Sequence, residues 1–233
     1  MPIRHENPLL DPTAHLRPEV NPFVGKLVEG CQTGRLQALY GPFLEGMRGH
    51  WRGYFKGENT PENLFVEVGC HKGLVISQMA QDCLNSGFVG LDITFKRVVE
   101  TAERAQRLGL SNLVSVLANG RGLDLLFQEA EVDGFMVFFP DPWAKKKRQL
   151  KNRLLDEAFV ESMKSRLKVG GFFWFKTDHK GYFDEVSEIC AKLDLQPSSL
   201  NDVPKLWHKD YVTTFQKGFM DKGLPTYSGL WVK

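Results

Sequence analysis

An acid placed between two prolines has a nearly fixed backbone, because each ring sets φ and the residue before a proline is held extended. Asp141 occupies that position in Phe138-Phe-Pro-Asp-Pro-Trp143. A rigid carboxylate beside an indole, where an apolar run ends, offers a purine base both an aromatic surface and a hydrogen-bond acceptor. Directly after it, Lys145-Lys-Lys-Arg-Gln-Leu-Lys-Asn-Arg153 carries six basic residues in nine and no acid. In a chain whose 30 Lys and Arg nearly balance its 28 Asp and Glu, this run reads as a phosphate-binding patch, long enough for a polynucleotide.

A second set of polar residues surrounds a glycine loop, Glu67-Val-Gly69-Cys-His-Lys-Gly73. A dinucleotide site calls for G-x-G-x-x-G. Here three residues separate Gly69 from Gly73, and a carboxylate precedes them. Negative charge at that point disfavours a diphosphate. It suits a ligand carrying a cation, such as the ammonium and sulfonium of S-adenosylmethionine. Asp92 follows Gly73 by about 20 residues, the distance at which an acid reaches ribose hydroxyls. Asn119, Lys176-Thr-Asp178 and Thr213-Thr-Phe-Gln216 stand at later breaks in apolar runs, with groups able to read base edges. His71, His179 and His208 read as surface or packing histidines rather than catalysts.

The elements that must position these residues follow from hydrophobic patterning. Leu64–Val68, Gly87–Asp92, Leu113–Leu117, Phe135–Phe139 and Phe172–Phe175 are short runs, apolar on both faces. Between them Leu74–Cys83, Thr94–Leu108, Leu154–Leu167 and Tyr182–Leu193 are spaced as helices. Such alternation predicts an open, doubly wound, mostly parallel α/β sheet. Near the end, Val212–Phe215 and Tyr227–Val232 are strand-like, with turn residues and no helix-length crossover between them, so an antiparallel pair is expected to close the sheet. Ligands of such sheets bind at the carboxyl ends of the strands, near the reversal of strand order. Glu67, Asp92, Asn119 and Asp141 all fall there.

The 233 residues are 42% hydrophobic and 25% charged, as in a globular protein with a sizeable core. Residues 1–60 read as a proline-rich arm followed by helical fragments, and 61–233 as the main domain. No stretch approaches the ~18 apolar residues needed to span a bilayer. The opening Met1-Pro-Ile-Arg-His-Glu-Asn7 lacks the apolar core of a secretory signal. A cytoplasmic protein with no membrane association is expected. The four cysteines match no zinc or redox spacing, so no metal is expected and the thiols read as reduced.

The chain from about Leu64 to Lys233 resembles the bacterial tRNA (guanine-N7)-methyltransferase family. The resemblance rests on Glu67-Val-Gly69…Gly73, Gly90-Leu-Asp92, Leu110-Ser-Asn-Leu113, Phe138-Phe-Pro-Asp-Pro-Trp143 with its basic tail, Lys176-Thr-Asp178 and Thr213-x-Phe215. It implies a Rossmann-like class I S-adenosylmethionine-dependent methyltransferase that modifies a guanosine of the tRNA variable loop, leaving S-adenosylhomocysteine. It further implies cofactor contacts at Glu67, Gly69, Gly73, Asp92, Asn119 and Asp141, with Asp141 also the catalytic acid. Lys145, Asp178 and the Thr213–Gln216 segment would meet tRNA or guanine, in a monomer or homodimer. Four features depart from the family pattern: His71 for a glycine, Asn119 for an aspartate, Gln216 for a glutamate, and the order of the basic run. Two other readings use the same residues, an exocyclic-amine RNA methyltransferase and an RNA-binding relative without turnover.

Overall fold

The computed structural model describes residues 21–55, 60–144, 147–203 and 209–233. Most of the proline-rich arm, Lys145, Lys146 and His208 lie outside the described residues. Eight strands form one sheet: β1 (Ala38–Tyr40), β2 (Asn63–Val68), β3 (Ser86–Asp92), β4 (Leu113–Leu117), β5 (Val132–Phe138), β6 (Leu167–Thr177), β7 (Gln196–Ser198) and β8 (Tyr227–Val232). The helices are α1 (Pro22–Gln32), α2 (Trp51–Tyr54), α3 (Leu74–Asp82), α4 (Phe95–Arg107), α5 (Leu123–Leu126), α6 (Glu157–Arg166), α7 (Lys180–Lys192) and α8 (Thr214–Met220).

Spatial order is β1-β4-β3-β2-β5-β6-β8-β7. The first six strands in that order are mutually parallel, while β8 runs antiparallel to both β6 and β7. Alternate residues of a strand face opposite sides, and the sequence supplies apolar groups to both. Leu64, Val66 and Val68 join Val89, Leu91, Phe135 and Val137 in one core layer under α6 and α7. Phe65 joins Phe88, Met136, Phe138 and Trp174 in the other, under Val75, Ile76 and Met79 of α3.

Strands β3 and β4 continue from one side of β2, while β5 and β6 continue from the other. The crevice at the carboxyl ends of β2 and β5 is therefore the switch point of the sheet.

Two segments differ from expectation. Val212–Phe215 is not a strand: Thr213 caps α8, its hydroxyl accepting from the Gln216 N–H at 2.9 Å, and β8 finds its antiparallel partners in β6 and β7 instead. On the amino-terminal side, Ala38–Tyr40 adds a parallel edge strand against β4, where only helical fragments were expected. The expected helix Leu154–Leu167 begins at Glu157, where the Asp156 carboxylate accepts from the Phe159 N–H at 2.9 Å.

Candidate active site

The loop after β2 turns sharply into α3. Gly73 adopts φ +64°, and a Cβ there would come 2.5 Å from the Thr101 methyl carbon, so the site requires glycine on both counts. This close approach brings the amino end of α3 over the end of β2. Glu67 lies beneath it, 4% exposed, and its Oε2 has no hydrogen-bond partner among the described residues. Burial pushes the Glu67 carboxyl up to about 8. The Ile76 backbone N–H opposes that rise and the nearby Asp92 charge adds to it. A buried acid oxygen with no partner is costly unless something else meets it.

Asp92 ends β3 and organises the adjoining turns. Its Oδ1 accepts from the Thr94 N–H at 2.8 Å and its Oδ2 from the His71 N–H at 3.1 Å. Burial raises its pKa, while the Thr94 and His71 donors and Arg97 draw it back. Asn119 follows β4 and spends its carbonyl oxygen on the Arg121 N–H at 3.0 Å, capping a short 3-10 turn.

Two neighbouring cavities run along these strand ends. One of about 250 Å³ is lined by Glu67, Gly69, His71, Asp92, Phe139, Asp141, Thr213 and Phe215, among others. A second, of about 150 Å³, is lined by Gly69, Asp92, Ile93, Asn119, Gly120 and Leu154. Gly69 and Asp92 are walls of both. Glu67, Gly69, Asp92, Asn119, Asp141 and Thr213 are thus brought together, and Gly73 shapes the loop from behind.

Beyond β5 the backbone is strained. Phe139 and Trp143 both adopt positive φ, +52° and +45°, a region that disfavours bulky side chains. The Phe139 N–H still donates to the Lys176 carbonyl at 2.8 Å, extending the β5–β6 pairing by one step. Its ring lines the larger cavity with Asp141, whereas Trp143 does not. The aromatic wall expected of the indole is therefore supplied by Phe139. Pro142 is held from below: its carbonyl accepts from Arg153 Nε at 2.8 Å. Arg153 is buried, paired with Glu185 and seated 4.5 Å over the Tyr182 ring. The last residue of the basic run is thus a prop for the Pro-Asp-Pro turn and not an outward phosphate ligand. Arg148 and Lys151 of the same run are exposed.

Lys176 carried no signal in the sequence beyond its neighbours Thr177 and Asp178. It is 1% exposed. Its ammonium donates to the Tyr211 carbonyl at 2.8 Å and to Gln216 Oε1 at 3.1 Å, pairs with Asp210, and sits over the Trp174 ring at 4.6 Å. Burial lowers its pKa and Asp210 works against that. One buried cation therefore fastens the whole 210–216 segment to the sheet end. The Gln216 amide is buried against Lys176 and is not among the residues lining the larger cavity. Asp178 is half-buried just past β6 and lines neither cavity. Lys176→Met is expected to leave two buried acceptors bare, at about 1–3 kcal/mol each. Thermal melting should show a Tm lower by roughly 5 °C or more; a curve superimposable on wild type would deny the fastening role.

Among the described residues no cluster of three or more His, Cys, Asp or Glu gathers as a metal site, and no helix is long and apolar enough to cross a membrane. All four cysteines are free thiols.

A family model described as "Putative methyltransferase" matches residues 61–227. A tRNA (guanine-N(7)-)-methyltransferase of Streptococcus pneumoniae is 32% identical over 194 residues, 79% of this chain and 86% of that protein. A bifunctional glycosyltransferase/methyltransferase of Fusobacterium nucleatum is 30% identical over 151 residues; the match takes in 65% of this chain but only 23% of that protein. Among solved structures, the 16S rRNA methyltransferase KamB superposes with a TM-score of 0.55 at 13% identity, over 79% of this chain and 91% of its own, a likeness of fold.

Proposed function

The chain belongs to the tRNA (guanine-N(7)-)-methyltransferase family, and from that premise we propose that it transfers the methyl group of S-adenosylmethionine to N7 of a guanosine in tRNA. The observation that carries the proposal is the shared cavity of Glu67 and Asp141, an unpartnered buried acid facing a proline-clamped exposed one across the switch point. The residues suit the cofactor. Glu67 and the Gly69 turn would hold its charged methionine end, Asp92 its ribose hydroxyls, and Asn119 the rim of the smaller cavity where an adenine would lie. When bound, S-adenosylmethionine supplies an electrophilic methyl group on a sulfonium.

Guanine N7 has a lone pair and no proton, so no base is required to generate the nucleophile. The chain's task is to align N7 and to offset the positive charge that develops on the purine. Asp141 does this by accepting from the N1/N2 edge of the base. Thr213 borders the same space, while Asp178 and Lys145 belong to the approach of the tRNA. The substrate puts the reaction in the cytoplasm. The direct test is to incubate the protein with unmodified tRNA and labelled methyl donor, digest, and identify the nucleoside by mass spectrometry. We expect 7-methylguanosine; an N-methylated adenine or cytosine, or no product, overturns the reading.

A further inference from the structure

Three phenyl rings form a stack at the mouth of the larger cavity. Phe215 and Phe219 lie one turn apart on α8 and present both rings to Phe139. The Phe139–Phe219 planes meet at 11° with centroids 6.1 Å apart, and the Phe139–Phe215 planes at 23° and 6.3 Å. The His71 ring approaches Phe215 in an edge arrangement at 5.5 Å. Phe215 is thus held by two neighbours, yet it remains 50% exposed and lines the cleft with Asp141.

Packing alone does not account for this. Tyr211, Thr213 and Gln216 of the same segment are buried, and the Lys176 contacts already fix it to the sheet. The ring that backs Phe215 belongs to Phe139, whose left-handed backbone is costly for a bulky residue. The strain turns an aromatic group into the cleft at the end of a central strand. What results is a rigid aromatic face, supported from behind and open toward the cavity.

We propose that Phe215, buttressed by Phe139, is the platform on which the target purine stacks once it leaves the tRNA. This rests on the reading of the site as a tRNA purine methyltransferase and names the surface that receives the base. Stacking on an aromatic face is tolerant of base identity. Phe215 would therefore supply affinity and alignment, leaving discrimination to the carboxylate of Asp141.

The test is a cycle between side chain and base. The nucleoside methylated by the wild-type protein is identified first, and a tRNA lacking only that base is prepared. Wild type is expected to bind the abasic tRNA about tenfold more weakly than intact tRNA. In Phe215→Leu, which keeps apolar bulk and loses the π face, the ratio should shrink several-fold. Phe215→Tyr should restore it. S-adenosylmethionine affinity and Tm should stay near wild type in both variants, which separates stacking from a packing role. An unchanged intact-to-abasic ratio in Phe215→Leu, or wild-type indifference to base loss, overturns the platform. A product other than 7-methylguanosine overturns the guanosine reading alone, because the cycle is run on whichever base is modified.

Discussion

Asp141→Ala is expected to lower kcat by at least about a hundredfold, the scale seen when a pre-positioned electrostatic partner of a transition state is removed. Binding of S-adenosylmethionine should stay measurable by calorimetry. The expectation follows from how the carboxylate is presented. Prolines on both sides fix its backbone, Arg153 pins the Pro142 carbonyl at 2.8 Å, and the acid itself remains exposed on the cavity wall. Little else depends on it, so the variant should fold. Asp141→Asn keeps shape and hydrogen bonding without charge. It should fall between wild type and alanine if charge on the purine is what the acid offsets. Turnover at the wild-type rate in the alanine variant would remove Asp141 from the reaction.

Glu67→Gln carries the second large effect, and it has two opposite signs. In the free protein burial moves the Glu67 carboxyl from the usual 4.5 to about 8. A raised acid pKa means that the folded state holds a proton which the unfolded chain has already released. Between those two values stability therefore falls as pH rises, and it levels off above about 8. The cost at high pH is on the order of a few kcal/mol. Glu67→Gln removes this penalty and should melt higher than wild type at pH 9, the difference shrinking toward pH 5. The same change should weaken S-adenosylmethionine binding by about tenfold or more, because the neutral amide cannot counter a cation. In wild type, affinity should increase toward pH 8 and binding at pH 7 should release a proton, visible as a buffer-dependent heat. A variant that melts higher at pH 9 and binds as tightly as wild type would separate Glu67 from the cofactor.

What the sequence made legible depended on how local the cause was. Strands β2 to β6 were readable because consecutive apolar residues served both core layers. Glu67, Asp92 and Asp141 were readable because the fold class itself sends strand ends to one crevice. Val212–Phe215 was not, since its β-branched and aromatic residues favour a strand. The Thr213 cap and the Lys176 contacts, neither visible as periodicity, make the following turn helical. The same distant lysine explains why Gln216 faces inward. Arg153 looked like one more cation of a basic run, and only its position over Tyr182 and beneath Pro142 distinguishes it. The exchange of Trp143 for Phe139 at the cleft arises from two left-handed residues that no propensity scale favours.

The edge strand β1 lies outside the stretch that the family model matches, yet it is part of the same sheet. Similarity to the family model starts at residue 61. Yet Leu27, Tyr40 and Trp51 are almost wholly enclosed, Leu27 and Tyr40 against Val98, Val99 and Leu117, and the Trp51 indole donates to the Leu126 carbonyl. Below that limit, the Glu131 carboxylate receives the Gly49 and Trp51 amides. A shortened chain that kept every residue of the cleft would strip one flank of its fold, leaving a row of unpaired backbone groups along β4 and taking the Gly49 and Trp51 donors from the buried Glu131. The parts that do the chemistry and the parts that keep it assembled have different footprints, the second reaching further toward the amino terminus than the first.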